Sequence, residues 1–226
     1  MRSKLFVVLA ALATGAAGCA SSARQVDPID TANAIGDDAR PLAADLSAAP
    51  LSERDLTALR RPPVALQLGD VSSLAADVTS PARWDRYLAG DTTALSAPER
   101  RGLVLFTRAG CASCHDGLAV GGQKYRKLGE AIALRTLSDS GRYSATNDPA
   151  DLFVFKVASL RNVELRPPYL HDGSIKTLGQ AVRLMSRHQL GVDLTEDQVS
   201  DIRAYLTSLT GRVPFVVGQH ASGGTQ

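Results

Sequence analysis

The chain has 226 residues, 44% of them hydrophobic and 21% charged. That suits one globular domain of ordinary size, not two large ones. The formal net charge of +2 falls to zero without residues 1–18, which carry Arg2 and Lys4 and no acid, so there is no electrostatic ground for nucleic-acid binding.

In chain order, Arg2 and Lys4 precede an apolar run from Leu5 to Ala17 that ends in Gly18. A charged start, apolar middle and small-residue end describe a secretory signal. The run is shorter than the ~20 apolar residues needed to span a bilayer. Ala16-Ala17-Gly18-Cys19 resembles a lipoprotein signal, in which the cysteine is acylated and becomes the first residue; Ala16 stands where Leu is usual. The expectation is a lipid anchor on Cys19 and a periplasmic location. Ala20 after it is compatible with outer-membrane sorting. Residues 19–79 read as an Ala-, Pro- and Asp-rich tether with one short helix at Glu53–Leu59, capped by Ser52 and stopped by Arg61-Pro62-Pro63. No aromatic residue lies between Phe6 and Trp84, so the packed domain is expected over residues 80–211, with a frayed tail at 212–226.

Within that domain Arg83–Leu88 forms a possible helical turn. Three capping boxes open helices: Ser96 with Glu99, Thr177 with Gln180, and Thr195 with Gln198. The first helix runs to about Arg108 and ends at Gly110. The second carries Leu178, Val182 and Met185 on one stripe. The third carries Val199, Ile202, Leu206 and Leu209, and Gly211 closes it. Residues 116–176 are rich in Gly, Pro, Asp and Asn and read as long loops with short helical pieces. Loops of this length need something to organise them, and a large apolar cofactor would serve. The fold class is all-α.

Cys111-Ala112-Ser113-Cys114-His115 carries the chemistry. A Cys-x-x-Cys-His spacing attaches haem c: each thiol adds to one haem vinyl group, and the adjacent histidine ligates the iron. A redox dithiol would want a βαβ context, and a zinc site a second pair of ligands; neither is present. One covalent haem is expected. For the sixth ligand, Met185 is the favoured residue, being the only methionine besides Met1 and lying on an apolar stripe. His188 is the runner-up, with Ser186-Arg187-His188 reading as a solvent-facing run. His171, between Pro167-Pro168-Tyr169 and Asp172-Gly173, reads as a hydrogen-bonding loop residue near the haem. His220 falls in the tail.

Several stretches together resemble the C-terminal domain of bacterial di-haem cytochrome c peroxidases and MauG proteins. They are Trp84–Asp91, Gly121-Gly122-Gln123, Phe155–Val163, Pro168–Ser174 and Leu178–Met185. The resemblance implies a class I cytochrome c fold around one haem, with Gly102 and Phe106 of the first helix crossing Ile202 and Tyr205 of the last. It implies a high-potential haem ligated by His115 and Met185. It also places a calcium ion near Arg166 and Pro168, where Arg166 replaces a more usual Thr. One calcium ligand normally comes from the N-terminal haem domain, which has no counterpart here, and that weighs against calcium. There is no second Cys-x-x-Cys-His. The expected function is one-electron transfer at the cell envelope between a redox-protein donor and acceptor. The alternative is peroxide reduction, alone or with a partner supplying a second haem.

Overall fold

The computed structural model describes residues 39–43, 51–60, 82–134 and 138–211. Residues 1–18, Cys19, His220 and the 212–226 segment lie outside these.

Three helices begin where a Ser or Thr side chain accepts one of their first backbone N–H groups, at Ser52, Thr177 and Thr195. Helix α1 is Glu53–Leu59; Ser52 Oγ accepts the Asp55 N–H at 3.3 Å and Asp55 accepts the Ser52 N–H at 3.1 Å. Helix α2 is Arg83–Leu88, with Asp85 accepting the Ala82 N–H at 2.6 Å. Helix α3, Ala97–Ala109, starts where Glu99 accepts the Ser96 N–H at 2.7 Å and ends at Gly110, whose φ of +103° suits a glycine cap. A single turn, α4, spans Tyr143–Thr146. Helix α5, Leu178–Leu184, and helix α6, Glu196–Ser208, open with the expected boxes at Thr177 and Thr195. Helix α5 then widens into a π-helical turn at Met185–Gln189.

Among the described residues four short strands accompany the helices: β1 Arg40–Pro41, β2 Tyr125–Lys127, β3 Val154–Lys156 and β4 Val192–Asp193. Strands β2 and β3 form an antiparallel ribbon with Tyr125 opposite Lys156, and β1 lies parallel to β4 with Arg40 opposite Val192.

The core forms where α3 crosses α6. A Cβ placed on Gly102 would come to 1.8 Å of the Asp201 carbonyl oxygen, so the two backbones touch. Around this point Leu103, Phe106, Ile202, Tyr205 and Leu206 are buried together with Trp84. Arg101 grips Asp201 across the crossing with two hydrogen bonds of 2.8 and 2.7 Å. A second clamp is internal. Arg161, 1% exposed, holds both Asp85 oxygens at 2.9 and 2.6 Å and the Leu118 carbonyl at 2.7 Å. It thereby ties α2 to two stretches of the long loop region.

Two expectations need correction. The packed structure does not begin near Trp84. Leu59 is fully buried, Leu42 and Leu51 pack against the same core, and the Ala58 carbonyl accepts the Gly117 N–H at 3.3 Å. Aliphatic side chains anchor this part of the supposed tether, so the lack of aromatics was a misleading guide. Second, Ser186-Arg187-His188 is not a solvent-facing run. Ser186 is 2% and His188 3% exposed. Ser186 Oγ donates to the Arg183 carbonyl at 3.0 Å and His188 Nδ1 to the Ile132 carbonyl at 3.0 Å; hydrogen bonding permits their burial.

Because a methyl group at Gly102 meets backbone rather than a movable side chain, Gly102→Ala is expected to cost about 3 kcal/mol or more. Urea denaturation measures this, and a change below ~1 kcal/mol would contradict the described crossing.

Candidate functional site

Helix α3 delivers the site. Its left-handed cap at Gly110 turns the chain into a 3₁₀ turn at Cys111–Ser113. The Cys111 carbonyl accepts from both Cys114 N–H (3.2 Å) and His115 N–H (2.9 Å). This turn gathers Cys111, Cys114 and His115 on five consecutive residues. Both cysteines are free thiols. Desolvation pushes the Cys111 thiol up to about 12 and the His115 imidazole down to about 4, so the imidazole is neutral at ordinary pH, the form that ligates metals.

His115 Nδ1 lies 3.1 Å from the Ala158 carbonyl oxygen. A carbonyl only accepts, so Nδ1 carries the proton and Nε2 keeps its lone pair for a metal. The loop behind this contact is tightly built. Gly122 N–H donates to Val157 O at 2.9 Å and Leu160 N–H to Val120 O at 3.1 Å. Gly121 has a φ of +120°, and a Cβ there would lie 2.2 Å from Ala158 O and 3.0 Å from His115 Nδ1. Lys124 Nζ donates to the Ser113 carbonyl at 2.7 Å and pairs with Asp116 at 3.0 Å. Phe106 packs near the imidazole, with ring centroids 6.3 Å apart, and against Tyr205 at 5.2 Å.

Met185 is the first residue of the π turn. It is half-buried, as are Cys111, Cys114 and His115. Leu190, just beyond the turn, faces Gly110: a Cβ on Gly110 would lie 3.6 Å from Leu190 Cδ2. His188, by contrast, is packed on all sides and has Nδ1 committed to Ile132. His171 is 75% exposed at its side chain, pairs through Nδ1 with Asp139 and stands 6.0 Å from the Phe155 ring. The Gly141 N–H, then the His171 pair, hold the Asp139 carboxyl below the usual range.

These residues fit a covalent haem. Two unpaired thiols three positions apart, followed by an imidazole with its distal nitrogen kept free, form the donor set that such a group requires. The half-buried Met185 thioether is of the right chemistry for a second axial donor. The described residues include no group of three or more His, Cys, Asp or Glu that could hold a metal ion by themselves. Two contributors had no side-chain signal in the sequence. Ala158 acts through its backbone carbonyl, and Gly121 acts by leaving room for it; the paired glycines Gly121-Gly122 hinted at a close approach without naming its partner.

Sequence comparison agrees with this chemistry. A cytochrome c551 peroxidase of Nitrosomonas europaea is 46% identical over 138 residues, covering 61% of this chain and 41% of the relative. A cytochrome c551 peroxidase of Pseudomonas aeruginosa is 42% identical over 144 residues, 62% of this chain and 41% of the relative. This chain is a homologue of the cytochrome c peroxidases and MauG proteins. The methylamine utilization protein MauG of Methylorubrum extorquens matches this peroxidase/MauG homologue at 30% identity over 145 residues, 58% of this chain and 40% of the relative. The crystal structure of a MauG-like protein associated with microbial copper homeostasis superposes on it with a TM-score of 0.51 at 25% identity, covering 59% of this chain and 53% of that one. No family model matches the chain. The homologue spans about two fifths of the length of these curated relatives, and the matched portion is consistent with the C-terminal haem domain of the family. Relatives of these kinds imply c-type haem.

Two outcomes are expected. Gly121→Ala forces a methyl group against the Ala158 carbonyl in a left-handed backbone, so stability falls by about 3 kcal/mol or more, read as a lower urea midpoint. The buried Tyr205 hydroxyl has no hydrogen-bond partner among the described residues, and burial drives its ionisation upward. Tyr205→Phe removes only an unsatisfied group and is expected to leave stability unchanged or raise it by ~1 kcal/mol. A loss of 2 kcal/mol or more by the same assay would show that the hydroxyl is satisfied.

Proposed function

We propose that this chain is a monohaem c-type cytochrome that carries single electrons at the cell envelope. The observation that carries this reading is the dressing of His115. Its Nδ1 is held by the Ala158 carbonyl at 3.1 Å beside two free thiols, leaving Nε2 for iron. Cys111 and Cys114 would hold the haem covalently, and His115 and Met185 would be its axial ligands. When bound, the haem iron supplies one-electron chemistry between its ferrous and ferric states. The protein's own residues fix the imidazole tautomer through the Ala158 carbonyl and place the Phe106 ring beside it on the α3 side.

A thioether on the sixth position raises the potential and leaves no open coordination site. Reducing peroxide to water takes two electrons, more than one ferrous iron gives. This favours a carrier between a redox-protein donor and acceptor. An acylated Cys19 would hold the domain at the membrane surface, in the periplasm and on the outer membrane by preference. The second reading is peroxide reduction. The names of the 46% and 42% identical relatives support it; it would need Met185 to leave or a partner to supply a second haem.

The test is steady-state peroxide turnover by the purified, haem-loaded chain with a reduced donor, alongside the haem-to-protein ratio and the optical spectrum of Met185→Ala. The expectation is one haem, negligible turnover, and loss of the thioether-to-iron absorption in the variant. Sustained turnover by the isolated chain would replace the carrier with the peroxidase.

A further inference from the structure

The π turn that carries Met185 is fastened from one side by the two residues that end it. The His188 carbonyl accepts the N–H groups of Ala131 (3.1 Å) and Ile132 (3.0 Å), while His188 Nδ1 donates to the Ile132 carbonyl at 3.0 Å. Gln189 Oε1 accepts the Gly129 N–H at 3.1 Å, and its Nε2 donates to the Lys127 carbonyl and the Glu130 carboxylate, both at 3.1 Å. Six hydrogen bonds thus join two consecutive residues to the segment 127–132.

That segment is the continuation of β2. Strand β2 pairs with β3, and two residues beyond β3 lies Ala158, whose carbonyl orients His115. Just before β2, Lys124 Nζ holds the Ser113 carbonyl inside the Cys111–Cys114 loop. One two-stranded ribbon therefore contacts both the imidazole side of the site and the turn bearing the thioether. A π-helical turn lacks the regular i to i−4 ladder and is found frequently at functional sites, so its geometry depends on such outside contacts. An apolar residue at 188 would fill the same space and keep the two backbone bonds, but would lose the side-chain bond from Nδ1 to the Ile132 carbonyl.

We propose that His188 and Gln189 are positioning residues that staple the Met185 turn to the β2–β3 ribbon and so keep the Met185 thioether on the iron. The proposal rests on the His115/Met185 reading above. Removing the side-chain part of the staple loosens the turn against the ribbon, weakens thioether ligation and opens the sixth position to small ligands, while His115 stays in place.

The test uses the full haem-loaded chain with four variants: His188→Leu, His188→Asn, Gln189→Leu and Met185→Ala. Helical content and haem content report folding. The thioether-to-ferric-iron absorption band and the rate of cyanide binding to the ferric protein report ligation. The two leucine variants are expected to keep haem, to lose intensity in the band and to bind cyanide about tenfold faster, the scale of second-sphere effects at metal sites. His188→Asn offers an amide N–H in place of Nδ1–H and is expected to restore both readouts. Met185→Ala abolishes the band. If the leucine variants keep an unchanged band and cyanide rate while Met185→Ala loses the band, the staple is overturned and the ligand assignment stands. If Met185→Ala keeps the band, the ligand assignment itself falls. Failure of both leucine variants to fold or take up haem, with Met185→Ala intact, would assign the two residues to the fold alone and overturn the proposal.

Discussion

At Gly102 two helix backbones meet without a side chain between them; a single Cβ would come to 1.8 Å of the Asp201 carbonyl oxygen. This contact sets the separation of α3 and α6, and much else follows from it. One turn further along α3, Phe106 wedges against Tyr205 of α6 and reaches the His115 imidazole. Where α3 stops, its left-handed glycine cap turns the chain into the cysteine pair. The helix crossing is thus the mechanical base on which the donor set is mounted. The buried Arg161–Asp85 pair adds a second fixed point. An internal ion pair of this kind adds little net stability; what it secures is the register of α2 against the loops that follow the donor set.

The loops of residues 116–176 are short of regular structure but not of order. Backbone hydrogen bonds between 120–122 and 157–160, the β2–β3 ribbon and the single-turn helices satisfy much of their polar backbone. Two histidines have the same dressing, Nδ1 against a backbone carbonyl, yet different surroundings. His115 is half-buried beside the thiols, whereas His188 is packed among protein atoms. Identical local chemistry at Nδ1 therefore occurs in two surroundings, beside the thiols at His115 and inside the protein at His188.

Much of this was legible in the sequence because it is local. The boxes at Ser96, Thr177 and Thr195 are written within four residues, and each opens a helix. The cysteine–histidine spacing lies within five residues and declares its chemistry without any fold. The helix pair through Gly102 and Ile202 was legible through resemblance. The parts that were not legible are non-local. Leu59 joins the core only because Gly117 and the helix crossing come to meet it. The polar run 186–188 reads as surface until the carbonyls of Arg183 and Ile132 are found waiting for it. The π turn interrupts a stripe that a regular helix would have continued through Met185.

The short pairing of β1 with β4, in which Arg40 and Leu42 N–H groups donate to Gly191 and Asp193 at 3.0 and 3.1 Å, bears on how far the domain can roam. If, as proposed, Cys19 is the membrane anchor, the chain is first joined to the domain near residue 40 and not near residue 80. A fully extended chain gains at most about 3.5 Å per residue, so the reach from the bilayer is about 70 Å, where a leash to residue 80 would allow about 200 Å. On that proposal the domain stays within this distance of the lipid, and the proteins it could meet are those that enter that layer.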